Sequence, residues 1–243
     1  MACLYQTMDR VIAERRAAPA ERGAGLSLLL HAQHDDGSGL TDQQVRDETL
    51  TLILAGHETT ANALTWTWYL LAQHPASYTQ LQAEVDTVVG GRTPTVTDLP
   101  RLPYALQVFK EALRLYPPIY GIFRHVRQPV QLGPYHLQPG TRLGISPSTL
   151  HRNPQYFPDP ECFDPDRWTP DQEAALPRYA YLPFGAGPHM CIGHHFALLE
   201  AHLILATLAQ RVTFELVPGQ TIVPEPLITL RPKGGLRVIV RRR

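Results

Sequence analysis

Charge of one sign, paired cysteines and long apolar runs are all missing from this sequence, and each absence closes off a class of function. Lys plus Arg and Asp plus Glu both number 22, so nothing marks a nucleic-acid or other polyanion partner. The closing "RRR" reads as a short solvated tail. The three cysteines, Cys3, Cys162 and Cys191, are odd in number and far apart, with no CxxC or CxxCH motif, which excludes a disulfide framework. A reducing compartment fits them, and a cytoplasmic location is expected. No run reaches the roughly 18 apolar residues of a membrane span, so no membrane segment is expected. The first residues, "MACLYQTMDRVIAERR", are charged too early for a secretory signal. Among the 11 histidines there is no H-x-x-x-H pair, so a zinc site is not expected. Internal repeats and low-complexity segments are absent too.

Proline, by contrast, is abundant. There are 23, and only Pro19 and Pro75 precede Pro94, so the second half should be rich in turns and meanders. Before that point the pattern is helical. Residues 4–17 suit a helix, and "HDDGSG" is a polar loop. "TDQQ" then reads as a capping box, with Thr41 as N-cap and Gln44 reaching back. The helix it opens should run from Asp42 to about His74, where Pro75 stops it. It is apolar on nearly all faces through "LTLILAG" and "ALTWTWYLLA", so burial is expected. Two shorter helices follow, over about 76–89, ended by Gly90-Gly91, and about 104–116, ended by Pro117-Pro118. Between Val126 and Ser146, short alternating runs suggest a small antiparallel sheet. Residues 151–183 form a proline-rich meander, a last helix spans about 191–211, and "VTFELV" and "GLRVIV" read as closing strands. Trp66 and Trp68 are expected in the core. The fold class is mainly α with small antiparallel β-sheets, in one domain over 1–243.

The chemistry concentrates in "FGAGPHMCIG", residues 184–193. A helix following Cys191 would stabilise its thiolate. Gly185 and Gly187 let the loop turn tightly and bring backbone close to a flat ligand. Gly193 removes a side chain at the same place, Phe184 gives apolar cover beside the sulfur, and His189 offers a donor to a carboxylate. These are the requirements of a thiolate-ligated haem. Alone, a cysteine in a loop is more often structural; the Phe, the glycines and the His at fixed offsets shift the balance.

The loop resembles the F-G-x-G-x-(R/H)-x-C-x-G haem-binding loop of the cytochrome P-450 family of haem-thiolate monooxygenases, at every specified position. Three more segments resemble the family in its order. In "KEALRLYPP", Glu111 and Arg114 share a helix face. "PECFDPDRW" resembles the meander motif, whose arginine, here Arg167, joins them. Two arginines around one buried carboxylate can form bidentate bonds, and losing one member would cost about 3–5 kcal/mol. "AGHETT" (55–60) resembles the oxygen-activation motif.

The resemblance implies an architecture, a C-terminal portion of the family fold that lacks the N-terminal helices and substrate lid, since family chains are nearly twice as long. It implies Cys191 as axial ligand of haem b, lined by Ala55, Phe184, Gly185, Gly187, His189, Ile192 and Gly193. It implies Thr59 as the hydrogen-bonding alcohol beside bound dioxygen and Glu58 as its proton relay. Arg124 is implied as a propionate ligand, with His125 and Arg127 as rivals. Dioxygen, a small hydrophobic substrate, and electrons from NAD(P)H through a ferredoxin, flavodoxin or diflavin reductase are implied as well. Residues 54–60, 119–123 and 227–230 are the pocket-lining candidates. "LHRNP" and Cys162 read as structural, Cys3 as exposed, and His194 and His195 as the start of the last helix rather than ligands. The alternative is a non-enzymatic haem-binding remnant or an inactive fragment.

Overall fold

The structure, a computed structural model, describes residues 2–17 and 25–243; the expectation for Cys3 concerns a side chain outside the described ones. The chain forms two compact units, residues 1–58 and 59–243, and one helix runs through both.

The first unit holds α1 (Ala2–Ala17), α2 (Gly25–His31) and the start of α3 (Asp42–Gln73). The sequence showed no signal for α2. Ile12, Val45 and Leu50 are buried, and Arg46 bonds Asp9 at 3.0 Å. The capping box forms as expected: the Thr41 N–H donates to Gln44 Oε1 at 2.9 Å, and the Gln44 N–H to Thr41 Oγ1 at 3.2 Å.

Burial of α3 divides at the same point as the chain. Residues 60–73 are mostly buried, whereas residues 51–58 are exposed, Leu54 to 65%. The burial expected of the apolar run thus holds for residues 60–73 and is corrected for residues 51–58. Its apolar surface is real, but over residues 51–58 that surface stays exposed.

In the second unit the core lies where the end of α3 meets α4 (Pro75–Val89), α5 (Pro103–Leu115) and α8 (His194–Arg211). Leu71, Leu81, Val85, Val108, Leu205 and Ala206 are among its fully enclosed members. Trp66 and Trp68 are buried as expected; Trp66 stacks on Tyr116 with centroids 4.1 Å apart. Gly90, at φ 60°, ends α4 in the left-handed conformation that glycine tolerates. Leu102 offers no cap to α5, so Glu84 of α4 does so across the gap, accepting the Tyr104 and Ala105 N–H groups at 2.8 and 3.0 Å.

The strands form four antiparallel pairs: β1 (Ile122–His125) with β4 (Arg142–Ile145), β2 (Val130–Leu132) with β3 (Tyr135–Leu137), β5 (Val212–Leu216) with β8 (Val238–Arg242), and β6 (Pro224–Pro226) with β7 (Leu230–Pro232). The expected sheet over 126–146 is thus two pairs, and β1 begins earlier, in "IFRH", which has no alternation to betray it. The closing strands are β5 and β8. Between the strand pairs in sequence lie two short helices, α6 (Pro147–Leu150) just before the meander and α7 (Pro170–Ala175) within it. Among the described residues no helix is long and apolar enough to cross a membrane.

Candidate functional site

Helix α5 supplies the anchor. Its Glu111 and Arg114 are both wholly buried and joined twice, Arg114 Nε to Glu111 Oε2 and Nη2 to Oε1, each at 2.8 Å. The remaining guanidinium hydrogens reach the carbonyls of His151, Pro160 and Cys162 at 2.9, 2.7 and 2.9 Å. One arginine thus ties three points of the meander to one helix. Glu111 also accepts from the Asp164 N–H at 3.0 Å and from Trp168 Nε1 at 2.9 Å. Arg167 completes the cluster as an ion pair, its Nε 3.4 Å from Glu111 Oε1. The separation suits an ion pair, but the N–H is aimed too far off for a hydrogen bond. The expected second bidentate arginine is therefore replaced by Trp168, which the sequence reading missed although it stands next to Arg167.

His151 carries the anchor onward. Its Nε2 accepts the Leu182 N–H at 2.8 Å, which assigns the proton of the neutral ring to Nδ1. Burial lowers its pKa to about 4, so the ring stays neutral at physiological pH. Leu182 stands two residues before the cysteine loop, and its carbonyl accepts the Gly185 N–H. The series Glu111, Arg114, His151, Leu182 is a continuous polar connection from α5 to that loop.

The loop closes on itself. The Gly185 N–H donates to Leu182 O at 3.2 Å, the Cys191 N–H to Phe184 O at 2.9 Å, and the Met190 N–H to Gly187 O at 3.0 Å. Gly185 and Gly187 take φ of 71° and 70°, as the expected tight turns require. Phe184 packs against the core. Helix α8 begins at His194, three residues beyond the cysteine, and Gly193 is its N-cap; a Cβ there would lie 3.9 Å from Cys191 Sγ. The sulfur is exposed, and so are Ile192 (89%) and Phe196 (66%) beside it. His189 is exposed as well.

Strand β1 packs on this loop. A Cβ at Gly185 would meet Ile122 Cδ1 at 3.8 Å. Alternation along the strand puts Arg124 on the Ile122 face and His125 on the Phe123 face, and Arg127 lies past the strand's end. Arg124 is exposed and donates to the Phe123 carbonyl at 2.9 Å. The "AGHETT" residues lie within α3: Ala55 and Glu58 are exposed, Thr59 is half-buried and Thr60 buried. Exposure of Glu58 goes with that of residues 51–58 and corrects the burial expected of this part of α3.

A sequence model of the cytochrome P-450 family matches residues 1–238. The chain belongs to the cytochrome P-450 family. Cyclooctatin synthase of Streptomyces melanosporofaciens is 46% identical over 241 residues, which are 98% of this chain and 52% of that protein. Cyclooctat-9-en-7-ol 5-monooxygenase of the same organism is 46% identical over 90% of this chain and 48% of its own. Pentalenene oxygenase of Streptomyces avermitilis is 37% identical, with 97% and 52% covered. A cyanobacterial cytochrome P-450 solved with retinoic acid bound aligns with a TM-score of 0.94 at 35% identity, over all of this chain and 56% of that one. The chain spans about half the length of the curated relatives it matches.

The residues present fit the family's haem. The exposed Cys191 stands beside a glycine that leaves room for a flat group, with apolar side chains uncovered around it. Arg124, which has no acidic partner among the described residues, is a cation available to a carboxylate on the face of β1 that meets this cytochrome P-450 loop.

Proposed function

We propose that the chain is the cysteine-bearing, C-terminal portion of a cytochrome P-450 monooxygenase, and that it inserts one oxygen atom from dioxygen into a small hydrophobic substrate. The observation that carries this is Cys191: an exposed sulfur on a loop turned by two left-handed glycines and tied to the buried Glu111–Arg114 pair through His151. Cys191 would hold the iron of haem b, with Phe184, Gly185, Gly187, His189, Ile192 and Gly193 against the ring and Arg124 on a propionate. When bound, the haem supplies dioxygen activation and one-electron chemistry. The residues of this chain do the rest. The polar connection from α5 fixes where the sulfur stands, Thr59 presents a hydroxyl, and Glu58, exposed to solvent, can pass protons inward along α3.

Electrons would come from NAD(P)H through a ferredoxin, flavodoxin or diflavin reductase. The relatives named for pentalenene and cyclooctat-9-en-7-ol support an apolar, sparsely functionalised substrate, as do the exposed apolar side chains of Phe123, Leu227 and Ile228.

The test is the carbon monoxide difference spectrum of the reduced chain expressed with haem. A strongly red-shifted Soret band is expected, and it should vanish in Cys191→Ser. A neutral-ligand band in the parent would overturn the role of Cys191. Thr59→Ala is expected to retain the band and to release hydrogen peroxide in place of product.

A further inference from the structure

The turn between β6 and β7 holds apolar side chains out into open space. Leu227 is 50% exposed and Ile228 88%. A pair of three-residue strands has little stability alone, yet this one is gripped from several sides. Trp66 Nε1 donates to the Leu230 carbonyl at 3.0 Å, and Asn62 Nδ2 to Thr229 Oγ1 at 2.9 Å. The Leu230 N–H donates to the Pro118 carbonyl at 2.8 Å. All three hold buried residues at the base of the turn. Tyr120 reaches further: its hydroxyl donates to the Leu227 carbonyl at 2.7 Å, on the exposed tip. Two residues on, Ile122 rests against Gly185 of the cysteine loop, and two residues of chain span at most about 7 Å. One short segment, 118–122, therefore touches both the tip and the loop.

We propose that Tyr120 is a positioning residue for substrate selectivity: its hydroxyl pins the Leu227–Ile228 tip at a set distance from the cysteine loop, so that the tip sorts bulky apolar substrates by shape. The selectivity half of this proposal rests on the monooxygenase reading above. The clamp itself stands on the hydrogen bonds. Apolar pockets discriminate by contact, and a displacement equivalent to one methylene changes selectivity about tenfold or more. Releasing the tip should therefore blur the distinction between largely apolar substrates of different shape.

Two readouts decide it, using the haem-loaded chain, Tyr120→Phe, and Tyr135→Phe as a control on an exposed tyrosine of β3. Amide hydrogen exchange at Leu227 should quicken about fivefold in Tyr120→Phe, the loss of one hydrogen bond, and stay unchanged in Tyr135→Phe. The ratio of dissociation constants for pentalenene and cyclooctat-9-en-7-ol, titrated by the haem absorption shift, should fall at least threefold in Tyr120→Phe alone. Unchanged exchange would overturn the clamp. Quicker exchange with an unchanged ratio would overturn its part in selectivity. Failure of the parent to bind either compound counts against the proposed function, while the exchange rates still decide the clamp.

Discussion

His151 shows how much one side chain can carry. It is fully buried, its carbonyl accepts a hydrogen bond from Arg114, and its ring accepts the N–H of Leu182, two residues before the cysteine loop. Its pKa is lowered to about 4, by burial first, whereas in the unfolded chain it is near 6.5. Between those values the unfolded state binds the extra proton. Stability from this group is therefore complete above about pH 6.5 and falls as pH drops towards 4, by about 2 kcal/mol at pH 5 and about 3 kcal/mol at the limit. Burial lowers the pKa of His202 as well, so its contribution has the same sign. His151→Gln keeps an acceptor for the Leu182 N–H and cannot titrate. Urea unfolding at pH 7 and pH 5 should show a smaller loss in the variant than in the parent; equal losses would exclude His151 as the source. Trp168→Phe tests the neighbouring cluster. It removes the indole bond to the Glu111 carboxylate, and the unfolding free energy should drop by about 1.5–3 kcal/mol, read in the same titration.

At the scale of elements, helix ends are where sequence and structure meet most directly. The α3 capping box, "TDQQ", forms with both of its reciprocal bonds, and Thr41→Ala should cost about 1 kcal/mol and speed exchange in the first turn of α3. Such signals were legible because capping chemistry is local. So were Pro75, Gly90 and Pro117 as boundaries, and the cysteine loop, whose glycines, phenylalanine and cysteine stand at fixed offsets. What escaped was made by distant partners. Strand β1 exists because β4 pairs with it; its own four residues lack a pattern. Trp168 joins Glu111 across 57 positions, and Glu84 caps a helix 20 residues away. Neither contact has a spacing that a reader of one segment could find. The hydropathy of α3 and the burial of its residues 60–73 were legible, but the exposure of residues 51–58 was not, because burial depends on what packs against the helix.

That last point governs the whole molecule. The matched relatives carry about as much chain again, and in each unit described here large apolar side chains face outward: Leu52, Ile53 and Leu54 in the first, and Phe123, Ile192, Phe196 and Ile228 in the second. Exposure on this scale favours association, and a formal net charge of zero at pH 7 removes the long-range repulsion that would oppose it. The chain expressed alone is therefore expected to sediment as oligomers and to brighten a hydrophobic dye at neutral pH. Leu52→Lys with Ile53→Lys adds charge to the exposed part of α3 and touches none of the proposed haem contacts. It should lower dye binding and shift sedimentation towards the monomer, while the carbon monoxide spectrum is retained. If an N-terminal half normally covers this surface, the half of cyclooctatin synthase that this chain does not match, supplied in trans, should also quench the dye signal. A parent chain that is monomeric and dark to the dye would show that its apolar side chains are already covered, and the case for a missing partner would fail with it.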